Sequence, residues 1–340
     1  MKAMKQPDKI GVILAQVGTP EAPTKEALYP YLKNFLSDER IIDAPRWWWL
    51  PLLHGVILRS RPAKMAKHYE DIWTKKGSPL LDLSRQQVAG VQKRLGKKYK
   101  VVLGFAYVEP SMNSAMKQLE GEGITRIVVL PMFPQYSTTT TASVYDEIMF
   151  YALGRQKRRG KPVKKYSPAL RFIPPFYNDP AYIAVLATNL KAQMAKLKEK
   201  PTRIMMSYHG IPKSYVDEGD PYPNQCDETT RLLVKAMGWK PGSYMQTYQS
   251  RFGRAEWLQP YTQVELPRWI DEGVERPYIV SPGFTTDCLE TIHELGIEAE
   301  ELIEEAGGDP SRLKRANCLN TDPAWLDYAA NLIKDNAGGW

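Results

Sequence analysis

Apolar runs set the outline of the chain. Ile10 to Gln16 is apolar at nearly every position, the pattern of a strand covered on both faces. Further strands are read at 101–107, 123–131, 204–206 and 273–282, and at 244–253 by its parallel with the strand ending at Tyr107. Helical spacing fills the gaps: Leu28, Tyr31, Leu32 and Phe35 mark one face of Lys25–Leu36, and further helices are predicted over 62–73 and 323–335. Strands alternating with helices predict right-handed βαβ units and parallel sheets. The pattern also repeats. The run at 204–206 stops at His209 as the run at 10–16 stops near Gly18, and 273–282 parallels 123–131, again before a Thr pair and a helix. The expected fold is therefore α/β, with two Rossmann-like halves, each a parallel sheet flanked by helices, and the active-site cleft between them. The expected boundaries are 7–160, 161–322 and a C-terminal helix and tail over 323–340. The basic stretch 155–165 divides the halves.

Composition narrows the classes. Hydrophobic residues make up 43% and charged residues 25% of 340 positions, an ordinary globular balance with ample core. A net charge of +8 favours anionic partners such as a membrane surface or a carboxylated ligand. No Lys/Arg block resembles a nucleic-acid arm, so no nucleic acid is expected as a partner. Cys226, Cys288 and Cys318 lie far apart without metal-type spacing, which suggests a reducing compartment. No signal-peptide core opens the chain, and the protein is expected in the cytoplasm. Nucleotide binding finds no support, because Val17-Gly18-Thr19-Pro20 is neither a dinucleotide fingerprint nor a P-loop.

Four stretches carry candidate chemistry. In Ser207-Tyr208-His209-Gly210-Ile211-Pro212, Gly permits a turn and Pro ends the strand. His209 should then stand at a strand's carboxyl end, where open α/β sheets bind ligands; the alternative is a loop histidine that caps a turn. After the run at 273–282, Asp287 and Glu290 are placed on the first turns of a helix, on one face by their i, i+3 spacing. Glu290, Glu294, Glu298 and Glu301 continue as a line of carboxylates, either a solvated acidic face or a path; His293 is expected on the helix surface. Trp47-Trp48-Trp49 cannot all face one core. Part of this segment should be exposed, at a membrane interface or a pocket lip, unless the rings wedge between helices. Its apolar run is too short to span a bilayer. Finally, the run at 123–131 passes into Pro134-Gln135-Tyr136-Ser137 and four threonines, donors at a strand tip.

Taken together, 207–222, Gln249-Ser250-Arg251-Phe252-Gly253, 282–290 and Pro-Gln-Tyr-Ser resemble the motifs of the ferrochelatases, which insert ferrous iron into a porphyrin. The resemblance spans roughly residues 8 to 320. It implies that His209 and Glu290 are the catalytic and metal-binding pair on opposite sides of the porphyrin plane, with Asp287 also catalytic. It assigns Glu294, Glu298 and Glu301 to an acidic path for protons or metal. It places Tyr69, Ser78, Tyr107, Tyr136, Ser137, Trp257 and Phe284 at the porphyrin, with Arg59 and Arg61 on its propionates. For Trp257 a plain core position is the alternative. The segment from Trp47 to Leu58 becomes the apolar lip over the cleft, with a peripheral contact at the inner face of a membrane.

The implied reaction is insertion of Fe2+, a substrate, into protoporphyrin IX with release of two protons, giving protohaem. The alternatives are coproporphyrin or another tetrapyrrole as substrate, or a non-catalytic porphyrin carrier, which would not need His209 and Glu290 together. Three positions depart from the family pattern. Ala106 stands where many members have arginine, Val17 where others have methionine or tyrosine, and Cys288 where animal enzymes have histidine. Animal enzymes also hold an iron–sulfur cluster in a cysteine-rich tail. No cysteine follows Cys318, so no cluster and no permanently bound cofactor are expected.

Overall fold

The computed structural model describes residues 9–154 and 164–340. The start of the chain and most of the basic divider, and with them the first expected boundary, lie outside the described residues. Two four-stranded parallel sheets form. The first contains β1 (Ile10–Gln16), β2 (Tyr99–Phe105), β3 (Arg126–Pro131) and β4 (Ala169–Phe172), in the order β2-β1-β3-β4. The second contains β5 (Arg203–His209), β6 (Tyr244–Gln249), β7 (Pro277–Val280) and β8 (Lys314–Arg315), in the order β6-β5-β7-β8. The two orders are the same. In each, the first strand in sequence sits centrally and its carboxyl end opens at the point where the connections reverse, the usual ligand position of such sheets.

The described residues divide into two compact units. One takes the residues up to Phe133 together with Thr138–Pro175 and Leu326–Trp340; the other takes Pro134–Ser137 and Phe176–Trp325. In the first unit, Ile13, Val102 and Val129 pack against Met112, Met116, Leu119 and Ile148. In the second, Met205 and Ile279 pack against Leu266, Trp269, Leu295 and Ile303. Each such side chain contributes roughly 1.5–3 kcal/mol by leaving water, so the strands are fixed by their covered faces. Glycine marks the tightest approach: a Cβ on Gly104 of β2 would lie 2.6 Å from the Met112 sulfur.

Three local differences from the sequence pattern have physical causes. First, β4 and β8 are edge strands of four and two residues, too short to show a period of two. Second, the helix placed at 62–73 begins earlier. Arg46–Leu52, a wide π-turn at Leu53–Ile57 and Leu58–Ile72 run on without a break, with Pro51 and Pro62 inside. A proline ring needs the carbonyl one turn before it displaced, and the wide turn loosens the helix there. Third, the helix expected to begin by Asp287 begins at Leu289–Glu290 and is itself a π-helix over Glu290–Glu298, continuing as an α-helix over Ala299–Glu305. Asp287 lies in the loop before it, off the helix face it was placed on.

Candidate active site

The second sheet supplies the most reactive group. β5 is buried along its length and releases His209 half-buried at its carboxyl end. The His209 Nδ1 lies 2.6 Å from the Gly210 carbonyl. A carbonyl only accepts, so Nδ1 is the donor in this contact and Nε2 is the ring nitrogen not engaged by it. The turn is pinned from both sides. Gly210 N–H donates to the Gln249 carbonyl (2.9 Å), and Leu258 N–H donates to the Ile211 carbonyl (3.0 Å). A Cβ on Gly210 would come within 2.9 Å of the Gln249 carbonyl oxygen and 3.1 Å of the Trp257 ring. Glycine is thus required by close approach. Trp257 is half-buried, its ring 6.3 Å from the His209 ring and tilted by 43°. It is a wall beside the imidazole, not a core tryptophan.

Carboxylates follow on the π-helix. Its i→i+5 bonding winds slowly, so residues four apart drift little around the axis and Glu290, Glu294 and Glu298 stay close to one line. Glu294 is the best anchored. It accepts from Ser250 N–H (2.6 Å), Ser250 Oγ (2.5 Å), Gln263 Nε2 (2.7 Å) and Gln249 Nε2 (3.3 Å). Burial raises its carboxyl above the usual range, with Glu290 adding to the rise and Ser250 and His209 opposing it. Gln249 Nε2 also donates to the Glu290 carbonyl (2.9 Å), while its Oε1 accepts from Ser207 Oγ (2.7 Å). One glutamine thus ties the strand before His209 to the helix of glutamates. Ser250 holds φ = 64°, unusual for a residue with a Cβ, and its two bonds to Glu294 keep it there. Gln249 and Ser250 were visible in a family motif but had no candidate role; Gln263 gave no signal at all.

The rest of the row is graded. Glu298 is half-exposed and meets the Nδ1 of His293 at 3.1 Å; Glu301 is exposed on the following α-helix. His293 is buried, contrary to the expected surface position. The wide turn brings i and i+5 together, which an α-helix would not do.

Asp287 is buried, and its carboxylate is fully engaged. Oδ1 accepts from Arg315 Nη1 (2.8 Å) and Thr291 Oγ1 (2.8 Å), and Oδ2 from Asn320 Nδ2 (2.6 Å) and Cys318 N–H (3.2 Å). Phe284 is half-buried in the same loop. Tyr136 and Ser137 belong to this unit too: Gln225 Oε1 accepts from Tyr136 N–H (2.7 Å), and Ser137 Oγ donates to Asp220 (3.0 Å).

In the first unit, Tyr107 is buried and donates to Asp38 Oδ2 (2.8 Å); burial and that carboxylate push the phenol well above its ordinary value, so it stays a neutral donor. Ser78 is buried against Thr19 Oγ1 at 2.8 Å, and Tyr69 is buried with its ring edge-on to Trp73. Arg59 is exposed; Arg61 is half-buried, and desolvation draws its guanidinium below its usual value. The three tryptophans split. Trp49 is buried, with Nε1 donating to the Leu36 carbonyl (2.7 Å), whereas Trp47 is 80% and Trp48 39% exposed. Among the described residues no helix is long and apolar enough to cross a membrane.

Comparison with known proteins gives the family of the chain. In solved structures the fold is shared with the sirohydrochlorin chelatase SirB of Bacillus subtilis. A structure with Fe3+ matches at TM-score 0.55 and 12% identity over 97% of this chain and 96% of that one; a cobalt complex matches at 0.55 and 11%. At such identity the likeness bears on the fold alone. The chain is 43% identical to the ferrochelatase of Pectobacterium atrosepticum, over 97% of this chain and 99% of that one. It is 42% identical to that of an Enterobacter species (96% and 98%) and 40% to that of Marinobacter nauticus (98% and 88%). The ferrochelatase family model matches residues 9–337, through both sheets. The chain therefore belongs to the ferrochelatase family, the lyases of haem biosynthesis that join ferrous iron to the nitrogens of a porphyrin.

Proposed function

We propose that His209 and Glu290 are the working pair of this enzyme and that protoporphyrin IX is its substrate. The observation that carries the assignment is the 2.6 Å contact of His209 Nδ1 with the Gly210 carbonyl. With Nδ1–H held there, Nε2 is the nitrogen left to meet a substrate at a strand tip, in the same unit as a helix of glutamates. A free-base porphyrin holds two pyrrolic N–H protons, and metal entry must displace both. Neutral imidazole accepts such a proton, a step worth about 10²–10⁴-fold as general-base catalysis. Glu290 holds the incoming ferrous ion, which takes carboxylate and imidazole ligands. Glu294, Glu298 and Glu301 form a relay from the π-helix to solvent, through which protons leave or metal arrives. Trp257, Phe284, Tyr136 and Ser137 line the macrocycle. Holding the ring bent toward the geometry of metal entry is where binding energy raises the rate. Asp287 acts by fixing the loop that starts the helix.

Arg59 and Arg61 meet the propionates. The exposed Trp47, Trp48, Leu52 and Val56 form an apolar lip suited to the vinyl-bearing edge of protoporphyrin and to a peripheral membrane contact. Four-propionate coproporphyrin would gain less from such a lip. The three cysteines are buried thiols whose pKa values burial raises well above normal. The reading includes no permanent cofactor.

The test is anaerobic turnover of protoporphyrin IX with ferrous iron, followed in the Soret and Q bands, beside His209→Ala and Glu290→Ala. Many turnovers by the wild type and slow variants are expected. A stoichiometric spectral change without turnover would mean a carrier. Turnover of coproporphyrin alone would overturn the substrate assignment.

A further inference from the structure

The helix that carries Glu290 and Glu294 has an unusual winding, and something must hold it. α-Winding gives better hydrogen-bond geometry, and π-segments persist where tertiary contacts enforce them. One such contact comes from the far edge of the second sheet. β8 is only Lys314–Arg315, and it pairs with β7 through Tyr278↔Lys314 and Ile279↔Arg315. From there the Arg315 side chain runs along the π-helix. Its Nε lies 4.0 Å from where a Cβ on Gly296 would stand, an ordinary contact distance, so the guanidinium passes beside the later part of the segment. Its Nη1 reaches Asp287 Oδ1 at 2.8 Å and the Ala316 carbonyl at 3.0 Å. Both partners are withdrawn from water, the Arg315 side chain being 17% and the Asp287 side chain 7% exposed.

Asp287 passes this anchorage on. Its Oδ1 accepts from Thr291 Oγ1, and the same hydroxyl accepts from Cys288 N–H at 3.0 Å, closing the first turn of the helix. Asn320, at φ = 49°, brackets the other side: its Oδ1 accepts from Asp287 N–H (2.8 Å) and its Nδ2 donates to Oδ2 (2.6 Å). Glu290 sits inside this clamp, between Cys288 and Thr291. Arg315 is therefore tied by charge and hydrogen bond to Asp287, just before the segment, and lies beside its later part near Gly296.

We infer that Arg315 is a positioning residue for metal insertion, setting the winding and angular position of the helix that presents Glu290 and Glu294. The inference rests on the reading of Glu290 given above. Arg315 itself touches no substrate. Groups that orient a metal's ligands typically cost 10–100-fold when removed, and Arg315→Met should lower kcat by about that factor. The KM for porphyrin should move less than about twofold, because the walls of its site are intact.

The experiment measures steady-state kcat and both KM values, with thermal midpoints, for wild type, Arg315→Met, Arg315→Lys, Asp287→Asn/Arg315→Met and Glu290→Gln. Arg315→Met leaves a buried carboxylate unpaired and lowers the thermal midpoint. The double variant removes that charge and recovers stability. The expected result is that kcat stays low in the double variant although its midpoint returns, and that Arg315→Lys recovers part of kcat. If kcat recovers with the midpoint, or if Arg315→Met keeps wild-type kcat well below its melting range, Arg315 is a stability brace and the inference is overturned. Should Arg315→Met fail to fold, the double variant and Arg315→Lys decide the same question. If Glu290→Gln retains wild-type kcat, the reading of Glu290 fails and this inference falls with it. An inactive Glu290→Gln beside an unimpaired Arg315→Met sinks the inference alone.

Discussion

The two sheets end their central strands in the same way and do different things with the result. After β1 the chain reads Val17-Gly18-Thr19-Pro20; after β5 it reads His209-Gly210-Ile211-Pro212. The neighbouring strands repeat too. Phe105 N–H donates to the Pro110 carbonyl (2.7 Å), and Tyr248 N–H to the Pro260 carbonyl (2.8 Å). Phe105 pairs with Ser111 as Tyr248 pairs with Tyr261. Even the wide helical turn after the third strand recurs, at Thr138–Ala142 and Glu290–Glu298. The backbone device is therefore common to both, and the residues set on it differ. Val17 offers no base where His209 does. The connection from Tyr248 to Pro260 is longer than that from Phe105 to Pro110, and the extra length carries Ser250 and Trp257. A fold sets out strand tips; function depends on what stands there.

Exchanging the letters should break the comparison most sharply. His209→Val, which makes the second turn read like the first, should lower kcat about 10²–10⁴-fold with the thermal midpoint little changed. Val17→Ala should stay within about twofold in the same Soret assay. The two glycines separate next. Gly210→Ala drives a methyl into the Gln249 carbonyl and Trp257 and moves His209, and a misplacement near 1 Å costs on the order of 10²-fold in rate. Gly18 has φ = 112°, with Val108 2.7 Å from a Cβ there. Gly18→Ala should therefore cost roughly 1–3 kcal/mol of stability, read from urea midpoints, with a smaller effect on kcat than Gly210→Ala.

The smallest effect is in pH. Glu294 titrates above a free glutamate, so the folded state holds its proton over a window in which the unfolded chain has lost it. That contribution to stability is present below the ordinary glutamate range and is lost as pH rises from that range through the raised value. Glu294→Gln should flatten this fall, seen as thermal midpoints that drop less between acid and neutral pH than those of the wild type.

Much of this was legible in the chain. Five of the eight described strands announced themselves by apolar runs, because a strand covered on both faces has little room for polar residues; β6, Tyr-Met-Gln-Thr-Tyr-Gln, was legible only by its parallel with the strand ending at Tyr107. His209 was legible for the same reason: Gly and Pro cut the run off at a fixed point. The line of glutamates was visible as spacing, but its geometry was not. Steps of four, four and three fit an α-helix, and only tertiary contacts select the wider winding that buries His293 against Glu298. Asp287 misled by the same route, since i, i+3 implies one face only inside a helix. Its partners Arg315 and Asn320 lie about thirty positions away, a pairing no local pattern encodes. Gln263 was hidden because a glutamine on a helix looks like any solvent-facing residue until a buried carboxylate is set opposite.

The helix Pro323–Asn336 has a consequence for how the protein is made. From Leu326 onward it belongs to the first unit. Leu326 comes so near Gly90 that a Cβ there would sit 2.6 Å from it, Asp327 pairs with Arg94 at 2.5 Å, and Trp340 covers Arg171 at 4.1 Å. The unit begun first is thus finished last. Its polypeptide must wait on the ribosome with the surface around Gly90 uncovered while the whole of the second unit is translated, whereas Phe176–Trp325 emerges as one continuous stretch. Domains generally fold as units during synthesis, so the surface around Gly90 is completed only after the stretch bearing His209 has been made.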